Sequence, residues 1–199
     1  MGRSREADMP LAGISLLDVG CGAGIVSEPM ARLGAEVTAI DASEQSILIA
    51  ERHAAGEGLE IDYQNALPED LASQGGQFDV VMSLEVIEHV ADAQAFLEIL
   101  STLVKPGGAL VIGTLNRTGL SYVKAIIGAE YILGWLPKGT HSWRKFVRPS
   151  ELNAVLEPRG YRVHDCCGVE LNPMTWKWSV SRSMNTNYMQ FYKRSDARL

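Results

Sequence analysis

The sequence is short of cysteine, of surplus basic charge and of any apolar run suited to crossing a membrane, and each shortage excludes something. Its three cysteines, Cys21, Cys166 and Cys167, offer neither the spacing of a zinc site nor a disulfide framework. Cys166 and Cys167 are neighbours, and Cys21 reads as a small residue filling a slot; the usage suits a reducing, cytosolic compartment. A net charge of −6 argues against general nucleic-acid binding, which draws on basic surface. The N-terminus, MGRSREADMP, lacks both the apolar core of a signal peptide and the acid-poor composition of a transit peptide. The sequon at Asn116 therefore says nothing about glycosylation. No internal repeat, low-complexity tract or linker interrupts the chain, and 199 residues suit one domain, 1–199, with a single substantial core.

What is present centres on Leu16 to Ile25, LLDVGCGAGI. A strand-like apolar run ends in Asp18, a loop with glycine at every second position follows, and helical spacing comes next. Gly20, Gly22 and Gly24 can take positive φ and carry no Cβ, so a ligand can lie directly on backbone N–H groups. The order strand, glycine turn, helix is the first unit of a doubly wound, Rossmann-like α/β fold. Strand and helix patterns then alternate: strands at Ser15 to Asp18, Glu36 to Asp41, Glu60 to Gln64, Phe78 to Ser83 and Ala109 to Leu115, with two more near Tyr161 to Val169 and Tyr188 to Lys193. Helices are predicted from about Ile25 to Leu33, from Ser43 to Ala55, from Asp92 to Leu103 and from Ser150 to Leu156. The expected result is a mostly parallel seven-stranded sheet flanked by helices, ended by a hairpin-like pairing of the last two strands.

The glycine spacing narrows the ligand. A dinucleotide fingerprint needs G-x-G-x-x-G, whereas here the pattern is G-x-G-x-G followed by bulky Ile25. No Lys-Ser/Thr pair follows the loop, which removes an ATP-type phosphate loop. Asp18 would repel a phosphate but suits an amino group and a sulfonium, and S-adenosylmethionine has both. Asp41 stands 21 residues after Gly20 at the end of the second strand, where this architecture places an acid for the ribose hydroxyls. Backbone near Leu67 and Pro68 can flank an adenine.

Glu85, Glu88 and His89 follow the fourth strand in the run SLEVIEHV. If the run is helical, their spacing puts all three side chains on one face at the edge of the sheet where ligands bind. Two carboxylates and an imidazole could then hold a hard divalent cation. The alternative is a solvated turn with a self-contained His–Glu pair.

Residues 119–143 form an apolar excursion. Its core, GLSYVKAIIGAEYILGWL, carries only Lys124 and Glu130 as charges, yet its three glycines and these charges make it a poor membrane span. It suits a greasy lid or a helix lying on a bilayer. From Arg117 to Arg148 there are six basic residues and one acid, a local +5 that leaves −11 on the rest of the chain. A basic, Trp-bearing apolar segment on an acidic protein matches anionic lipid, where each cation adds about 1 kcal/mol. A core-packing insertion with ordinary flanking charge is the other reading.

Taken together, DVGCGAG, AID, EVIEHV and VKPGG resemble the class I S-adenosylmethionine-dependent methyltransferases. TLNRTGLSYVKAIIGAEYILGWLPKGTH, then FVRPSEL, NPMT and NYM, resemble more narrowly the ubiquinone-biosynthesis O-methyltransferases, over nearly everything from Leu16 onward. The resemblance implies methyl transfer to a phenolic hydroxyl of polyprenylated ubiquinone precursors, one enzyme serving two steps. It implies cofactor contacts at Gly20, Asp41 and Leu84, alongside the loop residues Asp18 and Gly22. It further implies a divalent cation, magnesium by its donors, at Glu85, Glu88 and His89, and membrane association through the insertion. The implied setting is cytoplasmic, on the inner face of the membrane, with a prenylated aromatic substrate, an anionic membrane surface and other quinone-biosynthesis proteins as partners. Members of the family carry a longer helical segment before the first strand, with an arginine that helps to bind the cofactor; here a short polar lead precedes Ser15.

The expected chemistry is attack of a catechol-like phenolate on the sulfonium methyl. A cation would lower the phenol pKa as a Lewis acid; without one, His89 is the best base and His141 a weaker one. The rivals are a methyltransferase for another small molecule and a non-catalytic cofactor-binding subunit of a biosynthetic complex. A nicotinamide oxidoreductase is disfavoured by the glycine spacing.

Overall fold

The computed structural model of the chain describes residues 9–119, 143–172, 175 and 177–196. Most of the apolar excursion, including His141, therefore lies outside the described residues. Among these residues the chain forms one mixed sheet. Five parallel strands come first: β1 (Ser15–Val19), β2 (Glu36–Asp41), β3 (Asp62–Asn65), β4 (Phe78–Leu84) and β5 (Val104–Leu115). Then follow β6 (Tyr161–Asn172), β7 (Lys177–Ser181) and β8 (Asn187–Arg194), giving the spatial order β3-β2-β1-β4-β5-β8-β6-β7. The expected pairing of the last two predicted strands is present, with β8 inserted antiparallel between β5 and β6. The strand count differs from expectation. β7 makes an eighth strand, antiparallel to the far end of β6, in a stretch where KWSVS gave no clear alternation.

The helices sit where their caps dictate. Ser43 accepts from the Ser46 N–H and opens α2 (Glu44–Gly56), and Asp92 accepts from the Ala95 N–H and opens α4 (Ala93–Leu103). α1 (Ser27–Arg32) is shorter than its apolar spacing predicts, because the glycine loop continues through Val26 before helical geometry begins. The polar loop after β3 contains an unpredicted helix, α3 (Pro68–Ser73). Pro68 stands at its first position, and the Asp70 carboxylate accepts from the Leu67 N–H. α5 (Pro149–Leu156) follows a short turn at Trp143–Lys145. The expected Lys105–Gly108 turn appears as an irregularity within β5: Phe78 pairs with Val104 and Val80 with Ala109, so four residues stand opposite Asp79 alone.

The sheet faces bury two clusters. Leu17, Val81, Leu110 and Ile112 pack under α4 and α5 with Tyr161, Tyr188 and Tyr192. Leu16, Val37, Ala39 and Met82 pack on the other face with Ile47, Ala50 and Ala54 of α2. This arrangement leaves the carboxyl ends of β1, β2 and β4 free at one edge, between the β1 loop and the turn after β4. Parallel α/β sheets bind ligands at such an edge, where the strand order reverses.

Candidate active site

At that edge lies a cleft of about 530 Å³. Its walls bring together Gly20 from the β1 loop, Asp41 from the end of β2, Leu67 and Pro68 from the β3–α3 turn, and Glu85 and His89 from the turn after β4. Groups up to 69 residues apart in sequence thus face one space.

The glycine loop is built by close approach as much as by conformation. Gly20 has φ 78°, and a Cβ placed on it would stand 2.3 Å from the Val86 methyl Cγ2. Gly24 has φ 81°, and a Cβ there would meet the Tyr63 hydroxyl at 2.2 Å. The loop is thereby pinned between the turn after β4 and the β3 strand. Gly22 is different: its Cβ direction is open space, so only its φ of 54° asks for glycine.

Asp41 joins loop and cleft. One of its oxygens accepts from the Gly22 N–H at 2.9 Å and the other from the Ser43 N–H at 2.8 Å. A carboxylate has about four lone-pair sites, so capacity remains for ribose hydroxyls. Gly20 and Cys21 donate to the Ile40 carbonyl, which fixes the loop on the end of β2.

Asp18 takes a position different from the expected one. It is buried beneath the loop, outside the walls of the cleft, and accepts from the Ser27 hydroxyl at 2.6 Å. Burial pushes its carboxyl up to about 6, against the Ser27 hydrogen bond and with help from the Asp41 charge. In this geometry Asp18 ties the loop to the start of α1. Burial, with the nearby Asp18 and Asp41 charges, also pushes the Cys21 thiol up to about 12, so this cysteine is a packing residue, as expected. Leu84 ends β4 outside the cleft walls, its side chain filling the space that a Cβ on Gly113 would need.

The run after β4 is a turn; it does not form the helix that the three-on-one-face argument requires. The Glu85 N–H still donates to the Gly113 carbonyl, so the sheet ladder continues one residue past β4, and Glu85 then turns at φ 58°. Three consequences follow. Glu88 is 4 % exposed, and its Oε2 accepts from the Thr114 hydroxyl at 2.7 Å while Oε1 has no partner. Glu85 lines the cleft near it and is exposed to solvent there: partial loss of hydration first, then the Glu88 carboxyl beside it, push its own carboxyl up to about 7, while Asn187 works the other way. His89 is exposed on the cleft wall. The two carboxyls are thus brought together and the imidazole is not. Among the described residues no group of three or more His, Cys, Asp or Glu forms a metal centre. The expected Glu85–Glu88–His89 ligand set is not assembled, because a turn removes the common helical face.

Sequence reasoning missed three contributors: Val86, which packs on Gly20; Thr114, which holds Glu88; and Asn187, beside Glu85. Val86 and Thr114 sit in apolar runs with no signal of their own. Asn187 had one, as the first residue of NYM.

Comparison with known proteins accords with this geometry. A methyltransferase-domain family matches residues 2–165. The ubiquinone biosynthesis O-methyltransferase of Parvibaculum lavamentivorans is 48% identical over 194 residues, covering 98% of this chain and 77% of the relative. That of Brucella anthropi is 50% identical over 192 residues, covering 96% and 77%. Among solved structures, magnesium protoporphyrin IX methyltransferase from Synechocystis with bound SAH superposes with a TM-score of 0.67 at 24% identity, covering 95% of this chain and 77% of that one. A protein from a study of conversion of a disulfide bond into a thioacetal group during echinomycin biosynthesis gives 0.70 at 22%, covering 94% and 78%. These two likenesses concern the fold.

Proposed function

The chain belongs to the ubiquinone biosynthesis O-methyltransferases, an S-adenosylmethionine-dependent family, and from that premise we propose how its cleft performs the transfer. One observation carries the reading: a single cleft joins the glycine loop and Asp41 to Glu85 and His89. S-adenosylmethionine supplies an electrophilic methyl on its sulfonium when bound. The protein's part is to hold the adenosine with Gly20, Gly22 and Asp41, with Leu67 and Pro68 beside the adenine. Asp18 and Leu84 support this from behind, one through Ser27 and the other through the β4–β5 packing. The aromatic substrate then occupies the end of the cleft bounded by Glu85 and His89.

A phenol of pKa near 10 is a poor nucleophile at neutral pH, so its proton must leave as the methyl arrives. His89, on the cleft wall, accepts it. With the donor bound, the phenolate oxygen would gain the methyl as the carbon–sulfur bond broke, its electron pair staying on sulfur. Most of the acceleration comes from holding oxygen, methyl and sulfur in line. Calorimetric binding of S-adenosylmethionine, followed by turnover of a prenylated catechol, tests the reading. Binding without turnover would instead mark a non-catalytic subunit, and turnover of other rings only would mark a different substrate.

For a divalent cation the fitting donors are Glu85 and Glu88 alone. Their mutual repulsion is what a cation between them would relieve, and carboxylate oxygens are the donors magnesium prefers. Chelator treatment with and without added magnesium tests this part.

Membrane association is proposed from the apolar sequence of 119–143 and the basic residues of 117–148 around it, which together match an anionic surface on the cytoplasmic side. No helix among the described residues is long and apolar enough to cross a membrane. Sedimentation with anionic liposomes is expected, and it should be lost when Lys138→Glu, Arg144→Glu and Lys145→Glu are combined. Pelleting that survives those changes counts against the electrostatic part. Partnership with other quinone-biosynthesis proteins belongs to the same proposal, as does a single domain over 1–199 carrying the insertion.

A further inference from the structure

A second cavity, of about 430 Å³, opens between α4 and α5 on the far side of the turn that carries Glu85 and His89. We infer that this groove receives the apolar prenyl tail of the substrate, an inference that rests on the O-methyltransferase reading above. Its floor is apolar and shielded: Ile87, Leu97, Phe146 and Val147 are each no more than 7 % exposed. Its rims carry Ala93 on α4 and Ala154 on α5, whose methyl groups leave the gap between the helices open. The outer end is polar, where Arg117 pairs with Glu151.

Continuity with the cofactor cleft selects the occupant. Val90 and Ala91 line both spaces, so one turn of chain divides them. A ring held at Glu85 and His89 would send a substituent over Val90 and Ala91 directly into the groove. The buried polar group of the groove is Glu88, which lies on that same turn and belongs to its ring end. Beyond it the buried lining is hydrocarbon, while Gln94 and Lys145 are exposed, which favours a flexible apolar chain over a second polar ligand. The groove would thus set substrate preference: a tail buried there adds affinity that a bare ring lacks.

The test uses the full chain with one catechol ring, bare or carrying a farnesyl tail. The unchanged protein should prefer the farnesylated ring by about tenfold or more in kcat/KM. Ala154→Trp and Ala93→Trp, each filling the groove from one rim, should bring that ratio back toward one, mainly through KM. Ala154 is exposed on α5, so the larger side chain meets no core, and thermal melts check folding of both variants. A ratio that stays at its original value in two folded variants overturns the inference, as does equal turnover of both rings by the unchanged protein. A change of oligomeric state on Ala154→Trp with the ratio intact would assign the groove to a second copy and overturn it too. Failure of the unchanged protein to methylate either ring sinks the O-methyltransferase reading instead.

Discussion

The two ends of the cleft are built on different principles. At the proposed cofactor end the design rests on backbone: the loop between β1 and α1 presents N–H groups, and the Asp41 carboxylate is held by the Gly22 N–H of that loop and by the Ser43 N–H that follows β2. At the acceptor end, side chains do it, and each is placed by a distant strand. Glu88 rests on Thr114 of β5, and Glu85 lies beside Asn187 of β8. The first is a backbone loop seated against Val86 and Tyr63. The second sets the exposed Glu85 carboxyl beside the buried Glu88, and that proximity raises the Glu85 carboxyl. A family that keeps one methyl donor and positions a hydrophobic aromatic acceptor needs both.

The comparison can be broken at its strongest point first. If the acceptor end works through the His89 imidazole, His89→Ala should lower kcat by about 10²–10⁴-fold and leave S-adenosylmethionine affinity nearly unchanged. Steady-state kinetics with binding calorimetry checks this, and unchanged kcat would move the base elsewhere. At the other end, Gly20→Ala places a methyl on Val86 at positive φ. It should cost about 2–4 kcal/mol of stability and most cofactor binding. Adding Val86→Ala should return part of that loss in denaturant melts; no recovery would show that backbone conformation alone explains Gly20.

A smaller effect concerns Asp18. Its folded pKa, about 6, lies above the ordinary carboxylate value of 3.8, so folding favours the protonated form. The contribution is complete below about pH 3.8 and is lost as pH rises through about 6, after which the ionised carboxylate remains a fixed cost. Asp18→Asn should therefore remove the part of the stability–pH slope lying between those values. Its stability relative to the unchanged protein should rise by on the order of 2 kcal/mol from pH 4 to pH 7. Melts across that range decide it; parallel curves would place the buried charge elsewhere. The smallest change is Gly22→Ala, where nothing blocks a methyl. About 1 kcal/mol is expected from φ alone, well below the Gly20 result. Equal losses at the two glycines would erase the distinction between close approach and conformation.

Legibility in the sequence followed the same division. The glycine loop, Asp41, the caps at Ser43 and Asp92 and the first five strands could be read because each signal lies within a few residues of its effect. The acid at the end of β2 needed only strand length and sheet polarity to reach the loop. The fragment EVIEHV had helical spacing but not helical structure. Its first residue still donates to Gly113, which extends the sheet by one residue, and the chain then turns at Glu85 without forming the helical face that would align His89 with the carboxyls. Asp18 had the right charge for the cofactor, yet a serine nine residues on claimed it.

By itself, then, the sequence determined the chain's α/β class, its methyl donor and the glycine loop and acid that meet at one strand edge, since period, glycine spacing and strand-end acids act locally. Tertiary structure alone decided which acids meet, which of them lose their water, and that a groove opens between α4 and α5 behind the turn. Those properties depend on neighbours drawn from β5, β8 and α5, and the electrostatic cost of a buried carboxyl is set by whatever the fold brings against it.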